Sequence, residues 1–306
     1  MQEHVVIGSR GSALALWQSE HVKSLLEEAH PGISVDIRII KTKGDLILDK
    51  ALNMIGGKGL FTKELEVALL AEQVDLCVHS MKDMPTALPE GLTIPTLVKR
   101  ADPRDVLINF QGHTLETLPQ GVEVATGSLR RAAQLRNLRP DVTIPGVRGN
   151  VPTRVDKVRN GEFEAMILAA AGVTRLGLEE CVTQYFEPSE MIPSVGQGAI
   201  GIETREGDTR IEALLAPIAD AETMRDVEAE RHIMRTLQGG CHVPLGAHAR
   251  QTDEGYVLDA FVASEDGSRM ARTHLVGTAE ESTDMAQRAV EDLLSQGAAR
   301  ILEELR

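Results

Sequence analysis

The side chains most capable of chemistry fall in three short stretches, of which LQGGCHVPLG (residues 237–246) is the most distinctive. A cysteine stands there behind two glycines and ahead of a proline. Glycine lets the backbone take positive φ and approach a ligand, and proline stiffens the exit, so the segment reads as a shaped loop presenting the Cys241 thiol. A free thiol has a pKa of about 8.5, which leaves a small thiolate fraction at neutral pH as a nucleophile. The other cysteines are Cys77, inside an apolar run and read as core, and Cys181, which has no distinguishing context. An odd number without a CxxC pair argues against a disulfide framework and a structural zinc site. His242 beside Cys241 lacks a second ligand cluster at metal spacing, so no metal is expected.

The second stretch, VHSMKDMP (78–85), closes an apolar run and turns sharply. That puts Asp83 at the carboxyl edge of a sheet, beside Lys82 and near His79 and Ser80, where a carboxylate can act on a ligand. Capping of the following turn is the alternative. The third stretch is basic. Between residues 125 and 155 stand six arginines (Arg130, Arg131, Arg136, Arg139, Arg148, Arg154) and one acid, Asp141. Arginine pairs carboxylate or phosphate through a planar fork and keeps its charge when desolvated, so the cluster points to a ligand with several anionic groups. Arg136 and Arg139 are expected on the surface. Ser9, Arg10 and Ser12 repeat the pattern at another helix start, where the dipole favours anions. For any one of these residues, serine capping or a solvated arginine is the alternative. GGKGLFTKE (56–64) lacks the GxxxxGK[ST] spacing of a nucleotide loop and reads as a lid carrying Lys58.

These stretches sit in a repeating frame. HVVIGSRG, SALALWQSEHVKSLLEEAH, SVDIRIIKTKG, LFTKELEVALLAEQ and VDLCVHS alternate strand-like and helical patterns, as in an open α/β sheet. From Val122 the alternation restarts with VEVATGS into LRRAAQLRNLR, VTIPGVRGN into VPTRVDKVRNG, and EFEAMILAAAG into VTRLGL. GSRGSALALWQ and TGSLRRAAQL open the two blocks alike, which predicts two α/β lobes with a cleft between them. After about Ala221 come a helix, the Cys241 loop, two or three strands, and one amphipathic helix with Val290, Leu293, Leu294, Ala298, Ile301, Leu302 and Leu305 on a single stripe.

A chain of 306 residues, 42% hydrophobic, has material for two or three domains. The amino terminus shows no signal peptide and no run approaches the ~20 apolar residues of a membrane span, so a cytoplasmic protein is expected. The net charge of -14 repels nucleic acid and anionic membranes, so a bound anion must meet a local basic patch. Two rivals to catalysis are a solute-binding protein, disfavoured by the missing signal peptide and by Cys241, and RNA binding through RRAAQLRNLRP. The latter is disfavoured by the charge and by an aromatic content of 3%.

In order and spacing, GSRGSALALWQ, GGKGLFTKELE, DLCVHSMKDMPT, ADPRDVLI, GSLRRAAQL, VRGNVPTR, ILAAAGVTRLGL, VGQGAIGIE and AERHIMRTLQGGCHVPLGA resemble the porphobilinogen deaminase family from about residue 5 to 250. The resemblance implies an α/β fold: two periplasmic-binding-protein-like α/β domains around a cleft (1–98 with 194–218, and 99–193) and a small α+β domain, 219–306. It implies a cytoplasmic, monomeric transferase that polymerises four porphobilinogen molecules on a dipyrromethane cofactor, released as hydroxymethylbilane, without nucleic acid or membrane. The cofactor is implied to be held by a thioether to Cys241 and by Ser128, Arg130, Arg131, Lys82 and Arg148. Substrate binding is implied for Arg10, Ser12, Lys58, Arg154 and Arg175, and the catalytic role for Asp83. Three positions depart from the family's habit: Met54 where lysine is frequent, Gly127 where a second serine is common, and Gln238 where glutamate often precedes the glycines.

Overall fold

The computed structural model describes residues 3–46, 61–240 and 243–305, so Met54, Lys58, Cys241 and His242 lie outside the described residues. The chain divides into two compact units, 1–101 with 199–224, and 102–198 with 225–306. In chain order the first unit begins with β1 (His4–Ser9), α1 (Ala13–Ala29), β2 (Ser34–Ile39), α2 (Lys43–Leu46), α3 (Lys63–Leu70), β3 (Leu76–Ser80) and β4 (Leu92–Leu97). The second contributes β5 (Asp105–Ile108), β6 (Val124–Ala125), α4 (Leu129–Leu138), α5 (Val151–Arg159), β7 (Ala165–Ala169), α6 (Ala170–Thr174) and β8 (Val182–Tyr185). The chain then returns through β9 (Ile200–Arg205) and α7 (Thr209–Leu215). It finishes with α8 (Ala221–Thr236), β10 (Leu245–Thr252), β11 (Gly255–Ala263), β12 (Met270–Gly277), α9 (Ser282–Ser295) and α10 (Ala298–Glu304).

The first unit is a mixed sheet in the order β2-β1-β3-β9-β4, in which β1, β2 and β3 run parallel and β9 lies antiparallel between β3 and β4. Val5 and Ile7 from β1 meet Val22 and Leu26 from α1 in a fully buried cluster. Each such side chain contributes about 1.5–3 kcal/mol by leaving water, so the strand that ends at the Ser9 turn is fixed from its buried face.

The second unit holds a four-stranded sheet, β6-β7-β5-β8, and a three-stranded antiparallel one, β10-β11-β12. VTIP, expected to form a strand, supplies one isolated bridge from Thr143 to Glu123. Pro145 has no N–H to continue a ladder. The smaller sheet is cemented to α4: Phe261 and Ala263 of β11 share a buried cluster with Ala133 and Ile192. Gly267, at the β11–β12 turn, comes so close that a Cβ there would meet the Ala133 carbonyl at 2.8 Å. The single terminal helix expected from the apolar stripe is two. Gly297, at φ 93°, breaks it between α9 and α10, while Val290, Leu293, Ala298, Ile301 and Leu302 still share one core.

Candidate active site

At the end of β1 the chain turns through Arg10 and Gly11 to Ser12, whose Oγ accepts from the Ala15 N–H at 3.3 Å and caps α1. The capping alternative therefore holds for Ser12, and its hydroxyl hydrogen remains available to donate. Ser9 is instead fully buried. It receives a hydrogen bond from Ser19 at 2.8 Å and donates to the Arg10 carbonyl at 3.0 Å, which makes it a brace for the turn. The Arg10 guanidinium lies 4.1 Å from the centre of the Phe61 ring, a cation–π contact that sets its direction.

β3 stops at Ser80, and a 3₁₀ turn, Met81–Asp83, carries the chain out of the sheet. Met81 is the buried anchor of that turn and fills the space that Gly201 of β9 leaves open. Lys82 is half-buried and Asp83 is exposed. Gln18 of α1 donates to Ser80 Oγ at 2.7 Å and ties the helix to the same strand end. Arg10, Ser12, Gln18, Phe61, Ser80 and Asp83 line one small open pocket of about 50 Å³. Behind it, buried His79 lies 3.0 Å from Glu203 and links β3 to β9. A pocket with a carboxylate on one side and a guanidinium and a hydroxyl on the other can hold an anionic arm and act on a cationic centre.

In the second unit the turn before α4 repeats the first. Ser128 Oγ accepts from the Arg131 N–H at 3.4 Å and caps the helix, again leaving its own hydrogen to donate. Arg130 and Arg131 follow, and both are buried. Asp105, the wholly buried first residue of β5, lies 2.7 Å from Arg130 Nη1 and 2.8 Å from Arg131 Nη2. Burial by itself would raise that carboxyl's pKa, but the two guanidiniums overcome it and hold Asp105 at about 2. The loop carrying half-buried Arg148 packs on the same turn: Thr126 N–H donates to the Pro145 carbonyl, and a Cβ at Gly127 would meet the Val147 carbonyl at 2.8 Å. Serine at 127 therefore requires that loop to shift. Half-buried Arg154, on α5, donates from Nε to the Gly149 carbonyl at 2.7 Å. Arg175, just past α6, is buried, donates to the Gly198 carbonyl at 2.7 Å, and is pulled down by desolvation to about 10. Both arginines expected on the surface are half-buried: Arg136 donates to the Glu265 carbonyl at 2.5 Å, and Arg139 pins the 115–119 loop, with Nε 2.7 Å from Asp141.

Cys241 lies outside the described residues, and its flanks are fixed. Gly239 N–H donates to the Met234 carbonyl at 2.8 Å and Val243 N–H to Gly240 at 3.0 Å, while Leu237, Val243 and Leu245 are in the core beneath. Gln238 takes φ 51°, a left-handed conformation at the end of α8. The other two cysteines are buried and free, with burial raising Cys77 well above the ordinary thiol range and Cys181 to about 11. Asp105, Gln18, Phe61 and Glu203 were not singled out from sequence. For Asp105 the signal was there: an acid opening the apolar run DVLI has to be paired.

A family model described as "Porphobilinogen deaminase, dipyromethane cofactor binding domain" matches residues 5–213, and one described as "Porphobilinogen deaminase, C-terminal domain" matches 224–295. A porphobilinogen deaminase of Syntrophobacter fumaroxidans is 49% identical over 306 residues, covering 100% of this chain and 99% of that protein. Another, of Thiobacillus denitrificans, is 48% identical over 301 residues, 98% of each. Among solved structures, the periplasmic aliphatic sulphonate binding protein of Escherichia coli matches at 15% identity and a TM-score of 0.42, over 78% of this chain and 71% of that one.

Proposed function

The chain belongs to the porphobilinogen deaminase family, and we propose that Asp83 is its catalytic carboxylate and Cys241 the attachment point of its cofactor. The reaction deaminates porphobilinogen, joins four molecules head to tail on a dipyrromethane primer and releases hydroxymethylbilane for tetrapyrrole synthesis. What supports the residue assignment most is the meeting of Asp83, Arg10 and Ser12 on one pocket.

Porphobilinogen carries an acetate and a propionate, and its aminomethyl group must lose ammonia, keeping the methylene carbon, to give an electrophilic methylene pyrrolenine. Positive charge then develops at the substrate's pyrrole nitrogen. A carboxylate such as that of Asp83, placed about 4 Å from that nitrogen, would supply about 4 kcal/mol at an effective dielectric of about 20. An amide there lacks the charge. Arg10 and the Ser12 hydroxyl bind the substrate's carboxylates and fix the ring's direction, and Gln18, through Ser80, holds the strand end from which Asp83 projects. The substrate-binding expectation for Lys58 falls outside the described residues, as does the departure at Met54.

The second unit's donors fit a dipyrromethane, which bears an acetate and a propionate on each ring. The Ser128 hydroxyl, the N-terminus of α4 and Arg130, together with Arg148, bind its carboxylates. Arg154 and Arg175 bind those of incoming units. An anion beside Arg175 reverses the effect of its burial, which disfavours charge. Bound there, the dipyrromethane supplies the free α-carbon of a terminal pyrrole as nucleophile. A thioether to Cys241 survives turnover in water, as an acyl thioester does not. In this reading three domains, 1–98 with 194–218, 99–193 and 219–306, subdivide the two compact units, and the protein works as a cytoplasmic monomer on a small molecule, apart from nucleic acid and membrane. The charge of -14 supports this, and among the described residues no helix is long and apolar enough to cross a membrane.

Incubation with porphobilinogen followed by acid oxidation should give coloured porphyrin. Asp83→Asn should fold, carry its cofactor and lose at least ~100-fold in rate, the scale of a positioned electrostatic group. A near-normal rate contradicts the assignment.

A further inference from the structure

Joining two pyrroles breaks the C–H bond at the attacking α-carbon, so each addition releases a proton. Asp83 is a poor acceptor for it, because protonation removes the charge that the developing cation needs. Another base stands in the wall of the same pocket. His79 lines it together with Thr62, Ser80 and Asp83, and its Nε2 lies 3.0 Å from Glu203 Oε2 of β9. The strand register explains the reach: His79 faces Gly201, which has no side chain, so Glu203, opposite Cys77, crosses diagonally to the imidazole. Glu203 is wholly buried, and among the described residues the imidazole is the only hydrogen-bond partner of its carboxylate, with Oε1 unpaired. A buried carboxylate so sparsely satisfied is costly to keep and draws positive charge onto its one partner. Its surroundings reinforce this. Burial, and then the Glu203 charge, push up the carboxyl of buried Glu66 on α3, against the opposite pull of the Thr62 hydroxyl and of His79. Burial and the same two carboxyls raise the Cys77 thiol. Arg205, further along β9, is held instead by Asp208 and by the Leu69 and Val74 carbonyls.

We propose that His79, oriented by Glu203, is the base that takes the α-proton as each new carbon–carbon bond is made. With a carboxylate at Glu203, Nε2 carries the imidazole hydrogen and Nδ1 the lone pair. Among the described residues Nδ1 has no hydrogen-bond partner. The bond changes balance without oxidant or reductant. The aminomethyl group, reacting as its ammonium, breaks its C–N bond, and the pair leaves with ammonia. The attacking pyrrole supplies the pair for the new C–C bond, and the pair of its α-C–H bond returns to the ring as the proton passes to Nδ1. Nδ1 then gives the proton to ammonia, which departs as ammonium. Asp83 stays ionised throughout. Glu203, which touches His79 and not the substrate, is a positioning residue that also stabilises the imidazolium, the part a buried carboxylate plays beside a histidine base.

The inference rests on the porphobilinogen reading and is tested with porphobilinogen carrying deuterium at its free α-carbon. His79→Gln should lose ~100-fold in kcat with KM little changed, the scale of a lost general base acting only in the transition state. It should be slower still with the deuterated substrate, whereas the wild type and Asp83→Asn should turn over both substrates alike. Glu203→Gln, which keeps the shape and removes the charge, should show the same isotope effect at a loss of ~10-fold, the scale of a charge-assisted hydrogen bond. A histidine that merely supports the fold gives no isotope effect. His79→Gln at a near-normal rate, or slow with both substrates alike, overturns the proposal, as does an isotope effect that appears in Asp83→Asn instead. Nitrogen-15 NMR of the wild-type protein decides without turnover, and does so even where the variants fail to fold. At assay pH, His79 Nε2 should carry the hydrogen and Nδ1 the lone pair, and a hydrogen fixed on Nδ1 overturns the assignment. Wild-type protein that makes no bilane refutes the porphobilinogen reading instead, and the nitrogen shifts still judge the His79–Glu203 pair.

Discussion

Asp105, wholly buried at the head of β5, holds the Arg130 and Arg131 guanidiniums with a single carboxylate. The places of Asp83 and Arg10 after apolar runs could be read from the sequence, and both line one pocket at the strand ends. The arginine cluster could be read as an anion site, but not which member does what, because that depends on a carboxylate more than twenty positions upstream and on its depth. Asp105 also makes a prediction about acid. Its folded pKa, about 2, lies below the ordinary carboxylate value, so its contribution to stability is fully present above the unfolded value of about 4 and is lost as pH falls toward 2. The loss is roughly 2 kcal/mol. Denaturant melts between pH 5 and pH 2 should show it in the wild type and lack it in Asp105→Asn/Arg131→Gln. Equal pH slopes for the two proteins contradict the paired state of Asp105.

Helix caps and strand ends were legible because they are local: Ser12 and Ser128 both precede helices, and both cap them. The terminal stripe was legible as a face but not as two helices. One glycine inside an amphipathic pattern costs about 1 kcal/mol in a continuous helix, and the sequence does not say whether the chain bears that cost or turns. Here it turns, with Gly297 at φ 93°. A Cβ added there meets nothing within 4 Å, so Gly297→Ala tests the backbone conformation alone. The variant should lose about 1 kcal/mol of stability, read as a lower urea midpoint at unchanged slope. An unchanged midpoint means that α9 and α10 can merge without cost. Strand order was the least legible feature. β9 joins β3 and β4 from more than a hundred residues away, and only the resemblance of VGQGAIGIE implied that return.

Across the whole molecule, a net charge of -14 coexists with an arginine-rich segment, a combination that fits the proposed binding of one small polyanion. The same economy applies to thiols. Burial raises Cys77 and Cys181 out of the reactive range, which supports the proposal that Cys241, between the anchored flanks Gly239 and Val243, is the nucleophile. The most direct measurement is therefore the mass of the purified active protein, followed by peptide mapping. The protein should weigh more than its 306 residues by one dipyrromethane, carried on the Cys241 peptide. Cys241→Ala should show the unmodified mass and give no pyrrole colour with Ehrlich's reagent. Active wild-type protein at the unmodified mass, or with the added mass on Cys77 or Cys181, contradicts the account.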